Sequence, residues 1–100
     1  MTTIQLRTRD NLNQLSITGE SQAWIVANSK LSQILNVRVV NWDGTRCINA
    51  VFNLQRVWKR MHSPEDHTIR TVITFTKNTI IENCNIDFNN ATQCVTYHSI

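Results

Sequence analysis

The stretch that decides the fold is Val37–Asn53, VRVVNWDGTRCINAVFN. Two runs rich in β-branched residues flank an Asp43-Gly44 pair, the strongest short-range signal for a β-hairpin. A two-residue loop of type I′, with positive φ at both central residues, sets the register. Trp42 then faces Thr45, Asn41 faces Arg46, Val40 faces Cys47, Val39 faces Ile48 and Arg38 faces Asn49. Cross-strand partners share a face, and faces alternate along each strand. Val37, Val39, Ile48, Ala50 and Phe52 therefore form the core side. Arg38, Val40, Trp42, Thr45, Cys47 and Asn49 form the other side, and Trp42 is buried only where something else covers it.

On the N-terminal side, Thr3–Thr8 alternates Ile4 and Leu6 with Gln5 and Arg7, the pattern of a strand. After a turn at Asn11 to Asn13, Gln14–Thr18 alternates again through Leu15 and Ile17 and stops at Gly19, which predicts a first hairpin. From Ser21 to Leu35 the period changes. Trp24, Ala27, Leu31, Ile34 and Leu35 fall three and four apart, the stripe of an amphipathic helix, with Ser21 as N-cap and Asn36 as stop. A strand over Gln22–Ala27, turned by Asn28-Ser29, is the competing reading. On the helical reading Trp24 is a core residue.

On the C-terminal side, Leu54–Met61 (LQRVWKRM) fits two periods. As a helix it stacks Leu54, Val57, Trp58 and Met61 against a basic face of Arg56, Lys59 and Arg60; as a strand it puts Arg56, Trp58 and Arg60 together. His62-Ser63-Pro64 ends the element either way. Ser63-Pro64-Glu65-Asp66 has the order of a helix start, a single turn at most. Thr68–Thr76 reads as a strand with Ile69, Ile73 and Phe75 inward. Lys77-Asn78 turns the chain into Thr79–Phe88, where Ile80, Cys84, Ile86 and Phe88 share parity. Asn89-Asn90 turns it again into Thr92–Ser99. The expectation is one α+β domain over residues 1–100. It holds an antiparallel sheet of five to seven strands, a C-terminal three-stranded meander, and one or two helices on one face.

Composition narrows the function classes. Charged residues are only 17% of the chain, and Asn, Thr, Gln and Ser carry the polarity, which suits strands and turns. No apolar run approaches the ~20 residues of a membrane span. The start, MTTIQLRTRD, lacks a basic region followed by an apolar one, so a cytoplasmic location is expected. Cys47, Cys84 and Cys94 are odd in number and have no CxxC spacing, so neither a disulfide framework nor a zinc knuckle is indicated. Net charge is +3 and uneven: +5 through His62 and −2 after it. A basic first part favours an anionic partner.

Chemistry-bearing patterns are sparse. His62, His67, His98 and the cysteines lack ligand-motif spacing, and no cofactor or metal is indicated. With only Gly19 and Gly44, no glycine-rich loop can cradle phosphate or build an oxyanion hole. Asp66 with His67, or Cys94 with His98, could serve a small enzyme by acid–base or nucleophilic chemistry. Cys84 and Cys94 are candidates for neighbouring strands of the meander. Aromatic and basic groups coincide twice: Trp42 with Arg38 and Arg46, and Trp58 with Arg56, Lys59 and Arg60. Such groups stack on bases and neutralise phosphates. The leading expectation is a non-enzymatic module binding nucleic acid or another polyanion through those seven residues. A protein-interaction or inhibitor module, including a homodimer through Val40, Trp42 and Cys47, is the alternative, and the small enzyme comes third.

Overall fold

The computed structural model describes residues 1–61, 68–88 and 93–99. The chain runs β1 (Thr2–Thr8), α1 (Leu12–Thr18), β2 (Glu20–Trp24), α2 (Asn28–Leu31), β3 (Ile34–Asn41) and β4 (Cys47–Phe52). A 3-10 turn (Leu54–Arg56) follows, then β5 (Trp58–Met61), β6 (Ile69–Ile81) and β7 (Val95–Ser99).

The β3–β4 hairpin forms in the expected register, Val37↔Ala50 through Val40↔Cys47. Its core side is buried as expected: Val37, Val39, Ile48, Ala50 and Phe52 all join the central apolar cluster. Each Val, Ile or Phe among them, fully removed from water, contributes about 1.5–3 kcal/mol. The turn differs from the expected type I′. Only Gly44 takes positive φ (81°), and its N–H donates to the Asn41 carbonyl at 3.1 Å. The loop is therefore four residues long, held by the Asn41 side chain, whose Oδ1 accepts from the N–H groups of Thr45 and Arg46.

The N-terminal expectations invert. Leu12–Thr18 is a helix, because Asn11 caps it (Gln14 N–H to Asn11 Oδ1, 3.2 Å) and Gly19 closes it at φ 71°, donating to the Leu15 carbonyl. Leu12 and Leu15 reach the core while Ile17 is 81% exposed, so the Leu15/Ile17 alternation was misleading. The long helix expected over Ser21–Leu35 is absent. Glu20–Trp24 instead pairs with β6 (Glu20↔Thr74, Ser21↔Ile73), and only Asn28–Leu31 turns helically. A bulky Ala23-Trp24-Ile25-Val26 run suits a strand, and tertiary pairing overrides the apolar spacing. Trp24 does pack against the core.

The sheet is mixed and curls into a half-barrel with strand order β2-β6-β4-β3-β1-β7 and β5 also on β6. It is not purely antiparallel, because β1 and β3 run parallel (Ile4↔Val37, Leu6↔Val39). No C-terminal meander forms. Thr68–Thr76 and the first residues of Thr79–Phe88 form one strand, β6, which ends at Ile81; residues 82–88 leave the sheet, and β7 crosses to pair with β1 (Ile4↔Tyr97, Leu6↔Val95). Thr71 pairs with both Trp24 and Lys59, so β2 and β5 flank opposite edges of the first half of β6; the second half pairs with β4. Leu54–Met61 resolves into a 3-10 turn and a strand, which continues the β4 edge along β6. Ile73 and Phe75 point into the core as expected, whereas Ile69, at the strand end, is exposed. The result is a single compact α+β domain with two short helices.

Lys77 and Asn78, expected as a turn, form a bulge instead. Pairing steps from Asn49↔Thr79 to Val51↔Thr76, so β6 carries one residue more than β4 between the two pairs. Lys77 takes φ 52°, a left-handed conformation that costs a non-glycine residue about 1–2 kcal/mol. Helix α1 holds the bulge: Ser16 Oγ donates to Asn78 Oδ1 at 2.5 Å, and Asn78 Nδ2 donates to the Ser16 carbonyl at 3.1 Å.

Candidate anion-binding groove

The face of the sheet opposite the core is polar, and strand pairing sets its rows. Thr96, Gln5, Arg38, Asn49 and Thr79 lie in one line across β7, β1, β3, β4 and β6; His98, Thr3, Asn36 and Val51 lie in the next. A groove of about 400 Å³ opens here, lined by Thr3, Asn36, Arg38, Asn49, Lys77 and Thr79 around Val51. That lies toward the small end of ligand clefts, which run roughly 300–1,000 Å³. Among the described residues, no acidic side chain lines it. Arg38 spends one N–H on Gln5 Oε1 (3.0 Å). Lys77 has no hydrogen-bond or ion-pair partner among the described residues. Two uncompensated cations thus face the same cleft amid hydroxyl and amide donors. The bulge matters here: it turns Asn78 toward α1 and Lys77 toward the groove.

The segment 82–88 crosses the turn end of the same face as a wall over the hairpin. Ile86 N–H donates to the Gly44 carbonyl at 3.1 Å, and Cys84 Sγ lies 2.8 Å from Cys47 Sγ. Val40 and Cys47, on the outer side by register, are consequently 0% and 3% exposed. Burial, then the hydrogen bond to Cys84, pushes the Cys47 thiol up to about 12. Beyond the wall lies a second cluster. The Arg7 guanidinium sits between the rings of Trp42 (4.2 Å) and Phe88 (3.8 Å) and donates twice to the Trp42 carbonyl. Arg9 also lies over the Trp42 ring at 3.9 Å.

The seven residues singled out in the sequence are distributed over three places. Arg38 is in the groove. Trp42 is 37% exposed, but its neighbours are Arg7 and Arg9 rather than Arg38 and Arg46. Arg46 is committed to Glu82 (2.7 and 3.0 Å) and to Asn13, and the Glu82 hydrogen bond raises its pKa. The third place is the β5 ridge with the 3-10 turn before it. Trp58, 42% exposed, donates through Nε1 to Glu20 Oε2; Lys59 donates to Asn28 Oδ1 (2.6 Å) and Thr71 Oγ1 (3.0 Å); Arg60 donates to Gln22 Oε1. Arg56 closes the 3-10 turn just before β5. These side chains lace β5 and its surroundings together.

The enzyme candidates fare as follows. His62, Asp66 and His67 lie outside the described residues. Cys94 and His98 are four positions apart along an extended strand, roughly 13 Å at ~3.3 Å per residue, too far for a nucleophile and its base. His98 Nε2 is instead 3.0 Å from Thr96 Oγ1. Cys94 is not beside Cys84: its carbonyl accepts from the Arg7 N–H on β1, and Cys84 meets Cys47. Among the described residues, no three His, Cys, Asp or Glu side chains converge as a metal site would need.

Sequence reasoning passed over Lys77, Arg7 and Arg9. Arg7 and Arg9 share parity with Thr3 and Gln5, which was enough to place them on the outer face. A lysine breaking the β-branched run of β6 was the trace left by the bulge. Comparison with protein-family models, with curated proteins and with solved structures gives no match.

Proposed function

We propose that this domain is a non-enzymatic binding module for a phosphate-bearing polyanion, nucleic acid being the first case, and that it takes phosphate in the Arg38–Lys77 groove. The observation that carries the reading is the pair of cations facing one cleft with no acidic neighbour among the described residues. Arg38 presents a planar fork suited to two phosphate oxygens, and Lys77 a point charge. Thr3, Asn36, Asn49 and Thr79 supply neutral hydrogen-bonding groups around them. The groove has no aromatic lining, so recognition rests on phosphate rather than on stacked bases. The β5 ridge and the Arg7–Arg9–Trp42 cluster extend positive charge along the surface and steer an anion toward it.

The face that motivated a homodimer offers less: Val40 and Cys47 are already covered by segment 82–88. The test is fluorescence anisotropy with labelled single-stranded RNA, single-stranded DNA, duplex DNA and polyphosphate, each over a salt series. Binding should weaken with salt. Arg38→Ala with Lys77→Ala should lower affinity about tenfold or more and reduce the salt slope by about 1.4, two contacts at ~0.7 each on a single strand. The triple variant of Arg56, Lys59 and Arg60 to Ala distinguishes the ridge. If that variant abolishes binding while the groove double leaves it intact, the site is the ridge. Absence of binding by any of these polyanions at low salt removes the reading altogether.

A further inference from the structure

We propose that Cys47 and Cys84 form a site of reversible oxidation, closed to a disulfide by exchange with a low-molecular-weight disulfide such as oxidised glutathione. The two residues are 37 apart in sequence, and the fold brings them together. Ile81, the last residue of β6, pairs with Cys47 at the start of β4, and the chain just beyond it folds back across the outer face. Their sulfurs are 2.8 Å apart, against roughly 2.04 Å in a formed disulfide. Closure therefore needs only a small side-chain adjustment. Cys94 lies at the far edge of the sheet, just before β7, and has no thiol neighbour.

The asymmetry of the pair gives an order of events. Cys84 is partly exposed and Cys47 is buried, so Cys84 is the thiol an incoming reagent meets. Its thiolate attacks one sulfur of glutathione disulfide. That S–S bond breaks, and one glutathione leaves as thiolate. Cys47 then gives its proton to solvent and attacks the Cys84 sulfur, and the second glutathione leaves. Two cysteine thiols are oxidised and one small-molecule disulfide is reduced to two thiols, which take up the two protons. Burial holds Cys47 in its protonated form, so the second step accelerates as pH rises through the alkaline range.

The bond would staple segment 82–88 onto the hairpin. That segment already hydrogen-bonds Gly44 through Ile86 and packs Phe88 on Arg7. Oxidation thus fastens the segment that holds Phe88 against the Arg7–Trp42 cluster. This inference does not depend on what the groove binds.

The experiment treats the full chain with excess glutathione disulfide at mildly alkaline pH, alkylates free thiols, digests without reduction and maps the peptides by mass spectrometry. The expected result is a chain mass two hydrogens below that of the reduced chain bearing the same Cys94 adduct, a cross-linked peptide joining Cys47 to Cys84, alkylated or glutathione-bearing Cys94, a raised melting temperature, and reopening of the cross-link by dithiothreitol. Cys84→Ser should abolish the cross-link. The wild-type map stands on its own if that variant folds poorly. A stable glutathione adduct on Cys84 with Cys47 still free to alkylate after unfolding would overturn the proposal. So would a cross-link involving Cys94.

Discussion

Two arginines three rows apart on one hairpin end in opposite circumstances. Arg46, at the turn, is bound by both carboxylate oxygens of Glu82 and by Asn13. Arg38, in mid-strand, gives one hydrogen bond to a neutral amide and otherwise faces a cleft shared with Lys77. The same contrast separates Trp42, stacked with Arg7 and Arg9, from the groove, which has cations and no ring. What differs is the company that long-range folding brings. An arginine whose charge is already met by a carboxylate has little left for a ligand, whereas one with spare donors in a cleft does. Segment 82–88 makes the division, because it supplies Glu82 to Arg46 and no side chain to the groove lining.

The most disruptive way to break that division is Gly44→Val. Gly44 sits at φ 81°, and a Cβ there would meet the Ile86 carbonyl oxygen at 2.5 Å. Left-handed strain and the clash with backbone together should cost about 3 kcal/mol in urea-melt stability. They should also loosen Phe88 from Arg7, read as a change in Trp42 fluorescence. Unchanged stability would mean that the wall is not anchored at the turn. Next comes the groove itself: Arg38→Ala with Lys77→Ala should lose about tenfold in polyanion affinity, ~1.4 kcal/mol, with little change in melting.

Lys77→Gly sharpens the comparison by splitting stability from binding. Glycine relieves about 1–2 kcal/mol of left-handed strain but gives back about 0.5–1 in unfolded-chain entropy. The variant should be more stable by about 0.5–1 kcal/mol while binding polyanion less tightly. A destabilised Lys77→Gly protein would show that the lysine serves the bulge rather than a ligand. The smallest effect belongs to Glu82→Ala. Its bridge to Arg46 is solvent-exposed, so melting should change little. Polyanion affinity should hold or rise slightly as Arg46 is freed; a marked fall would tie the turn corner to the binding site.

How far each region could be read follows from the range of the interactions that form it. The β3–β4 hairpin was legible to the residue, since pairing across a short loop leaves few registers open and one face is plainly apolar. Its turn type was misread, because the Asn41 side chain caps Thr45 and Arg46 and lengthens the loop to four residues. Leu12–Thr18 was misread because its two apolar residues fit a strand as well as a helix over so few positions, and the Asn11 and Gly19 caps decided it. The meander failed at Lys77-Asn78, where a polar pair marks a bulge as readily as a turn. Of the candidate site, Arg38 was placed correctly on the outer face, while its partner Lys77 lies 39 residues away and is reached only through the β4–β6 pairing.

By itself the sequence determined the α+β class, the hairpin register, the core side of β3 and β4, and the excess of positive charge in the first part of the chain. These are local or compositional properties, set by side-chain period and turn chemistry. The parallel β1–β3 pairing, the single long β6, the meeting of Cys47 with Cys84 and the sorting of cations into paired and unpaired were decided by tertiary structure. Each depends on which distant strand or segment supplies the last hydrogen bond or the nearest charge, and period and turn chemistry carry no such information.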